Sequence, residues 1–366
     1  MDGNDESSSN KKELSDFIET LDLPHQIKLE ENVKNSFINA TIHCLTNIRI
    51  FLDRIYSLES FNDYHSIFFD ITKSLTTESS ISLRADHKKF VGFILSDITF
   101  IDKSNHDSRI LIDFILNRFL KIYNIDYEKE INEILNILKN PQNHISQLNS
   151  FSENIFNFKM PDDKNNYKII LKKSKKCPNE GCKKVSYYYK SISTLHFKLD
   201  YNEDKIYTLN ECFDNFLKNE KKENEFCSYC KKNYDNMETK ILFNNLPNII
   251  IIFIYYGNEK NDYQKFYYKF DEILDFSKMN VTVDEIKENK YFLSSVIACK
   301  YPKDKEKELF YTFCRKDIGS KYIVYNNNYI NDKIHHINNK IIKLKDEELD
   351  KKRGFPYVLV YTSLEN

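Results

Sequence analysis

Tryptophan is absent from these 366 residues, and glycine (6) and proline (7) are scarce. That excludes a collagen-like chain or a Gly/Pro-rich low-complexity one. Long apolar runs are missing too. The longest strongly apolar stretch, Ile249 to Tyr256, has eight residues, whereas a membrane helix needs about 20. The opening MDGNDESSSNKK is acidic and polar, with no apolar signal core. No charge sign dominates: 54 Lys+Arg against 55 Asp+Glu leave a formal net charge of -1. No global field therefore draws the chain to nucleic acid or acidic lipid. Local basic patches such as Lys172, Lys173, Lys175 and Lys176 read as solvated faces or as flanks of a metal site. Together these absences imply a soluble protein of the cytoplasm or nucleus, with no direct nucleic-acid partner and no membrane partner.

What is present is apolar mass and aromatic bulk. Hydrophobic residues make up 41% of the chain, with 27 Phe and 25 Tyr, enough for two or three domains or one large multi-lobed domain. Residues 1–27 read as a flexible tail. Phe37 to Tyr56 carries apolar residues at helical spacing, predicting a helix with one face turned to a core. A second helical pattern runs from Ile110 to Tyr123, and a charged one from Tyr127 to Leu138. From about Phe156 the pattern turns to strands. β-branched and aromatic residues predict them at Lys168–Lys172, Val185–Tyr189, Ile192–Leu199, Ile241–Phe243 and Ile249–Tyr256. More are predicted at Phe266–Phe270, Tyr291–Cys299, Leu309–Arg315, Lys321–Tyr325 and Tyr357–Tyr361. A short helix, Tyr207–Asn219, falls between them. The order is a helical lobe followed by a sheet-rich one, an α+β chain.

Eight cysteines are a modest number, yet four of them form two pairs. Cys177 and Cys182 bracket a short turn, and Cys227 and Cys230 form a CSYC knuckle after 44 intervening residues. Four thiolates offered as two pairs match the tetrahedral demand of one structural Zn(2+). The alternative is a pair of disulfides, which a reducing compartment disfavours. Polar and charged neighbours surround both pairs, as at exposed knuckles. Cys212, Cys299 and Cys314 lie in helical or strand patterns and read as small buried hydrophobes.

Eight blocks in order resemble the ubiquitin-specific proteases, the papain-like deubiquitinases of peptidase family C19. KNSFINATIHCL (Lys34–Leu45) is similar to the family's nucleophile box. DSRILIDFIL (Asp107–Leu116) resembles the DAxEFLxxLL box, and Asn154–Phe156 the block before the first zinc pair. The cysteine quartet falls where the family has its fingers. LPNIIIIFIYY from Leu246 resembles the LPxxLxIxLKRF strand, and Tyr268–Met279 the strand and turn after it. YFLSSVIACK leads into FYTFCR, where the family has its histidine box, and GFPYVLVY resembles the closing AYxLxY strand. The resemblance covers residues 28–362. It implies a papain-like fold with a mainly helical thumb (28–155), zinc-bearing fingers (156–245) and a palm sheet (246–362). It also implies a surface that holds the globular body of ubiquitin and a cleft that takes its extended tail.

The same resemblance puts Ser36 at the nucleophile position, Phe310 at the histidine position and Asn326 at the orienting position. Glu31, or Asn32 after a one-residue shift, falls at the oxyanion position. Such a protease needs a thiolate, an imidazole that takes and returns a proton, and a group that orients the imidazole. Ser36 is weakly nucleophilic without a base, Phe310 accepts no proton, and a carboxylate at 31 opposes a developing oxyanion. Cys44 lies eight residues beyond Ser36 and cannot replace its thiol. The expectation is a catalytically dead deubiquitinase-like protein that binds ubiquitin or a ubiquitin-like modifier, or acts as a scaffold among protein complex subunits. Two alternatives stand beside it. One is an active or formerly active isopeptide-hydrolysing thiol protease with Ser36 an engineered or divergent nucleophile. The other is a splicing-associated scaffold.

Overall fold

The computed structural model describes residues 35–56, 63–76, 80–102, 106–116, 169–199, 206–218, 220–222, 225–227, 229–235, 237–256, 267–269, 271–278, 290–300, 309–315, 323–326, 329–330 and 355–364. The expected tail at 1–27, the helix at Tyr127–Leu138 and the Asn154–Phe156 block lie outside them.

The helical layer begins with α1 (Ser36–Thr46) and α2 (Arg49–Tyr56). One helix was expected over Phe37–Tyr56; the chain breaks it at Asn47, whose side-chain Nδ2 donates to the His43 carbonyl at 2.7 Å. A side-chain amide that satisfies a last-turn carbonyl is a stop signal, since those carbonyls have no helical partner. α3 (Asp63–Thr76), α4 (Ser80–Ser96), the single turn α5 (Ile98–Ile101) and α6 (Ser108–Phe114) complete the layer. Asp97 and Asp107 cap α5 and α6 through their carboxylates.

All eleven residues of α1 are buried, so the expectation of a single buried face is corrected. Its apolar side packs into the main core with Phe51, Phe68 and Phe90. Some of its polar atoms find partners instead of water, while Thr41 Oγ1 finds none among the described residues. Asn39 Oδ1 accepts from His87 Nε2 at 2.7 Å, and Thr46 Oγ1 donates to the Ile42 carbonyl at 2.8 Å. A buried polar group costs little only when paired in this way.

The large sheet carries the order β15-β14-β13-β12-β16-β9-β3. Its members are β3 (Thr194–Leu199), β9 (Ile249–Tyr256), β12 (Lys290–Lys300), β13 (Leu309–Cys314), β14 (Ile323–Asn326), β15 (Tyr329–Ile330) and β16 (Phe355–Ser363). β11 (Ile273–Asp275) pairs β12 off this path. Pairing is antiparallel except between β3 and β9. Strand β9 sits between two neighbours, and Ile249 through Ile254 are all buried. A strand covered on both faces reads as a continuous apolar run rather than an alternating one.

A four-stranded antiparallel sheet, β2-β1-β8-β5, stands apart from the large one. It comprises β1 (Ile169–Lys176), β2 (Val185–Ile192), β5 (Glu220–Lys222) and β8 (Met237–Asn245). β6 (Glu225–Cys227) and β7 (Lys232–Tyr234) form a hairpin beyond it. Strand β3 lies between the cysteine pairs in sequence, yet it belongs to the large sheet. Helix α7 (Leu209–Phe216) packs Phe213 against Phe197 of β3. The segment 156–245 thus supplies both the finger sheet and one edge of the large sheet. Tyr267 and Tyr268, expected in a strand of the palm sheet, lie in β10 (Tyr267–Lys269). That strand pairs in parallel with β4 (Ile206–Thr208) in a two-stranded sheet of its own. Phe266 lies outside the described residues. Among the described residues no helix is long and apolar enough to cross a membrane.

Candidate functional site

Ser36 opens α1 at the seam where this helix meets β13. Thr312 Oγ1 donates to the Ala40 carbonyl at 2.7 Å, Cys314 Sγ to the His43 carbonyl at 3.4 Å, and Ser295 Oγ to the Cys44 carbonyl at 3.4 Å. These bonds fix the helix along the strand. They bring residues 274 apart in sequence together: the backbone N–H of Phe310 donates to Ser36 Oγ at 3.3 Å. Both residues are 2% exposed. The Phe310 ring sits edge-on to Tyr357, with centroids 5.5 Å apart.

Asn326 ends β14, the neighbour of β13, and pairs with Tyr329; its side chain lies outside the described residues, as do Glu31 and Asn32. The two histidines nearest in sequence to the helix-layer blocks have other employment. His106 Nε2 donates to the Phe100 carbonyl at 3.0 Å, and its ring stacks on Phe37 at 5.1 Å. His43 is buried, and its pKa falls to about 3 through burial first and the nearby His87 second. An imidazole that protonates only near pH 3 is a feeble base at neutral pH.

A second cluster adjoins Phe310, and the local sequence barely announces it. Arg109 leaves α6 toward the large sheet. Its guanidinium carbon lies 3.8 Å from the centroid of the Tyr357 ring and 4.2 Å from that of Tyr255. Its Nη1 donates to the Ile254 carbonyl at 2.9 Å, and its Nη2 to the Tyr357 hydroxyl at 2.8 Å. Its Nε donates to both carboxylate oxygens of Asp107 at 3.1 Å, and Nη2 bonds Asp107 Oδ2. Burial opposes the Arg109 charge. Hydrogen bonds with Asp107 and the fields of Asp107, Tyr357 and Tyr255 outweigh it, and the group is held above its ordinary value. The Tyr255 ring also stacks on His196 at 5.5 Å. Thr194 Oγ1 lies 2.9 Å from His196 Nε2 and donates to Asp113 Oδ1 at 3.4 Å. Asp113 is raised to about 6, chiefly by burial and also by the charge of Asp107, against the Thr194 hydrogen bond. The only hint in the sequence is a charged residue inside an apolar helical block, two positions after an Asp cap.

The four predicted cysteine ligands do converge. Their sulfurs lie within 4.8 Å of one another, with Cys177–Cys230 at 3.6 Å and Cys182–Cys227 at 4.0 Å. Zinc–sulfur bonds of about 2.3 Å at tetrahedral angles put sulfurs roughly 3.8 Å apart, and these separations straddle that value. The two knuckles are built alike. Lys183 follows Cys182 and Lys231 follows Cys230, each with positive φ (47° and 57°). Each such lysine donates its N–H backward, Lys183 to Asn179 and Lys231 to Cys227, both at 2.9 Å. The left-handed residue turns the chain so that both thiols of a pair face inward. Asn179 Nδ2 donates to Cys230 Sγ at 3.7 Å and to the Tyr234 hydroxyl at 3.1 Å. Sulfurs this close cannot all ionise by themselves. Cys177 is pushed up to about 12 by burial and by its sulfur neighbours, while hydrogen bonding, from Cys182 first, lowers Cys230 to about 7. A bound cation removes that conflict. The residues fit a metal; Cys177, Cys182, Cys227 and Cys230 would hold it.

A model of the family described as ubiquitin carboxyl-terminal hydrolase matches residues 65–361. The chain belongs to the ubiquitin carboxyl-terminal hydrolase family. The match takes in the cysteine quartet, the Arg109 cluster and Phe310, and it starts after the Ser36 segment. Solved structures agree on the fold, which is the papain-like α+β fold of ubiquitin-specific proteases. The chain is similar to a SAGA Ubp8/Sgf11/Sus1/Sgf73 DUB module bound to ubiquitin aldehyde, with 16% identity and a TM-score of 0.60. A Ubp8/Sgf11/Sus1/Sgf73 module bound to monoubiquitin gives 16% and 0.61. A yeast SAGA module with a mutant Sgf73 gives 16% and 0.59. Each match covers 99% of this chain and 76% of the other. No curated protein matches the chain. As a member of the hydrolase family, the chain presents a family fold with serine and phenylalanine in contact at its helix–sheet seam.

Proposed function

We propose that this member of the ubiquitin carboxyl-terminal hydrolase family is a pseudoenzyme that binds ubiquitin or a ubiquitin-like modifier without cleaving it. The observation that carries the proposal is the Ser36–Phe310 contact. The hydroxyl is buried and held by the backbone N–H of Phe310, a residue whose own side chain is a phenyl ring. A serine oxygen needs an adjacent base to attack a carbonyl, and general-base help is worth roughly 10²- to 10⁴-fold. A phenyl ring supplies none of it. In this proposal one structural zinc ties the cysteine knuckles and has no part in any reaction. The compartment proposed is cytoplasm or nucleus, where thiols stay reduced.

A scaffold role within a larger assembly is the second reading. It is favoured by the similar structures, in which Ubp8 is solved together with Sgf11, Sus1 and Sgf73. Titrating ubiquitin into the purified chain while following amide shifts separates the two. Saturable shifts in the chain or in ubiquitin support binding. No shifts at millimolar ubiquitin reject it and leave the scaffold, whose subunits co-purification from native extract would identify.

A further inference from the structure

The Arg109 cluster does more than fill space between α6 and the large sheet. Tyr357, whose ring the guanidinium faces at 3.8 Å, also accepts from Nη2 and touches Phe310, and Phe310 in turn holds Ser36. On the other side the guanidinium covers Tyr255 and takes the Ile254 carbonyl near the end of β9. Counting Nε once, Nη1 once and Nη2 twice, four of the five N–H donors of Arg109 are spent inside the protein. Asp107 is spent as well, on a forked pair with Arg109 in which both side chains are 12% exposed. A contiguous layer thus runs from Ser36 through Phe310 and Tyr357 to Arg109, and it joins the helical layer to strands β13, β16 and β9.

An extended chain end entering this seam would need polar backbone partners and room beside Ser36. The Ile254 carbonyl and the Asp107 carboxylate are the partners within reach of Arg109, and Arg109 occupies both. We propose that Arg109 is an internal latch that closes the seam beside Ser36, so that the cleft admits no extended chain end. Resting on the modifier-binding proposal above, its consequence is that a ubiquitin-like partner is held by its folded body and not by its tail.

The latch is tested without any partner. In the zinc-loaded full chain, Ser36→Cys is exposed to iodoacetamide under native conditions, and alkylation is read by peptide mass mapping. The companion chain carries Ser36→Cys with Arg109→Ala. Cys299, fully buried in β12, reports general unfolding in both. The expected result is slow labelling at position 36 with Arg109 present and at least tenfold faster labelling without it, with Cys299 unchanged. Rapid labelling with Arg109 in place overturns the latch. So does an Arg109→Ala chain that labels no faster at 36, or one in which 36 and 299 accelerate together. Binding adds a second arm, comparing intact ubiquitin with ubiquitin trimmed of its C-terminal tail. Affinities equal within twofold are expected, and a tenfold loss on trimming overturns tail exclusion. If neither form binds, the modifier-binding proposal fails, while the labelling arm still decides the latch.

Discussion

The Phe310 N–H reaches Ser36 Oγ at 3.3 Å across 274 residues, so the start of β13 and the start of α1 meet at one point of the fold. Whatever side chain stands at 310 is a neighbour of whatever stands at 36. Here the neighbour is apolar, and replacing the hydroxyl with a thiol alone does not supply a proton acceptor. Ser36→Cys is therefore expected to give no hydrolysis of a ubiquitin C-terminal fluorogenic substrate above the blank, as is the parent chain. The measurement is initial rate at high protein concentration. Turnover by Ser36→Cys but not by the parent would reveal a base elsewhere in the cleft, and turnover by the parent would end the pseudoenzyme proposal.

The cysteine knuckles make a separate prediction about architecture. Cys177, Cys227 and Met237 form a small core of their own, detached from the main one. So few apolar residues cannot hold a hairpin by burial, and a metal must contribute most of the local folding free energy. The purified chain should carry one zinc by elemental analysis. Chelation should raise amide exchange in the two knuckles, residues 177–184 and 225–235, by at least tenfold while β3, β9, β12 and β16 stay protected. Cys227→Ala should do the same. Absence of zinc, or an exchange pattern indifferent to chelator, would refute the assignment.

Lys183 and Lys231 occupy left-handed backbone at φ 47° and 57°. A side chain there pays a steric cost of about 1 kcal/mol that glycine avoids. The gain is partly offset because glycine widens the unfolded ensemble. Lys183→Gly and Lys231→Gly should each raise stability by a few tenths to about 1 kcal/mol, and the two should add. The reading is the denaturation midpoint of the zinc-loaded chain, with the finger-sheet amides as the local probe. Destabilisation by either would mean that the lysine side chain contributes more than its backbone conformation costs.

Much of this fold was available from periodicity alone. Strand β9 falls on the apolar run Ile249–Tyr256 without adjustment, because a strand buried on both faces needs no polar alternation. The cysteine quartet was available from spacing, since the ligands of one tetrahedral ion must come close in space. Strand β8 was read too short, as Ile241–Phe243 rather than Met237–Asn245. Its outer residues Glu238 and Lys240 are exposed, and pairing with β1 rather than local composition extends it. Helix α1 was read as amphipathic because its serine, asparagine, threonine and histidine side chains look solvated in sequence. Thr46 turns back on a carbonyl of α1 itself, and Asn39 finds its partner, His87, in another helix. The Arg109 cluster was missed for the same reason: Tyr255 and Tyr357 lie more than a hundred residues away, and no short-range pattern encodes their convergence.

A buried histidine and a half-buried carboxylate set opposite slopes of stability against pH, and their balance can be measured. His43 has an ordinary value of 6.5 and stands at about 3 in the folded chain. Between those values the unfolded chain binds the extra proton, so stability is lost as pH falls from 6.5 toward 3. At pH 5 this amounts to about 2 kcal/mol. Asp113 runs the other way: its ordinary 3.8 becomes about 6 in the folded chain. Here the folded chain binds the extra proton, so stability is gained as pH falls from 6 toward 4. That gain is about 1 kcal/mol at pH 5 before discounting, and less because Asp113 is only half-buried and solvent screens it. The histidine should therefore win, and these two groups together should leave the chain weaker at pH 5 than at pH 7. His43→Gln should flatten or invert that drop. Asp113→Asn should stabilise the chain at pH 7, because a neutral amide still accepts from Thr194 without a buried charge, and should steepen the fall toward pH 5. Denaturation midpoints of the three chains at pH 7, 6 and 5 decide the matter. A parent curve whose slope is unmoved by His43→Gln would show that the imidazole is not held neutral in the fold.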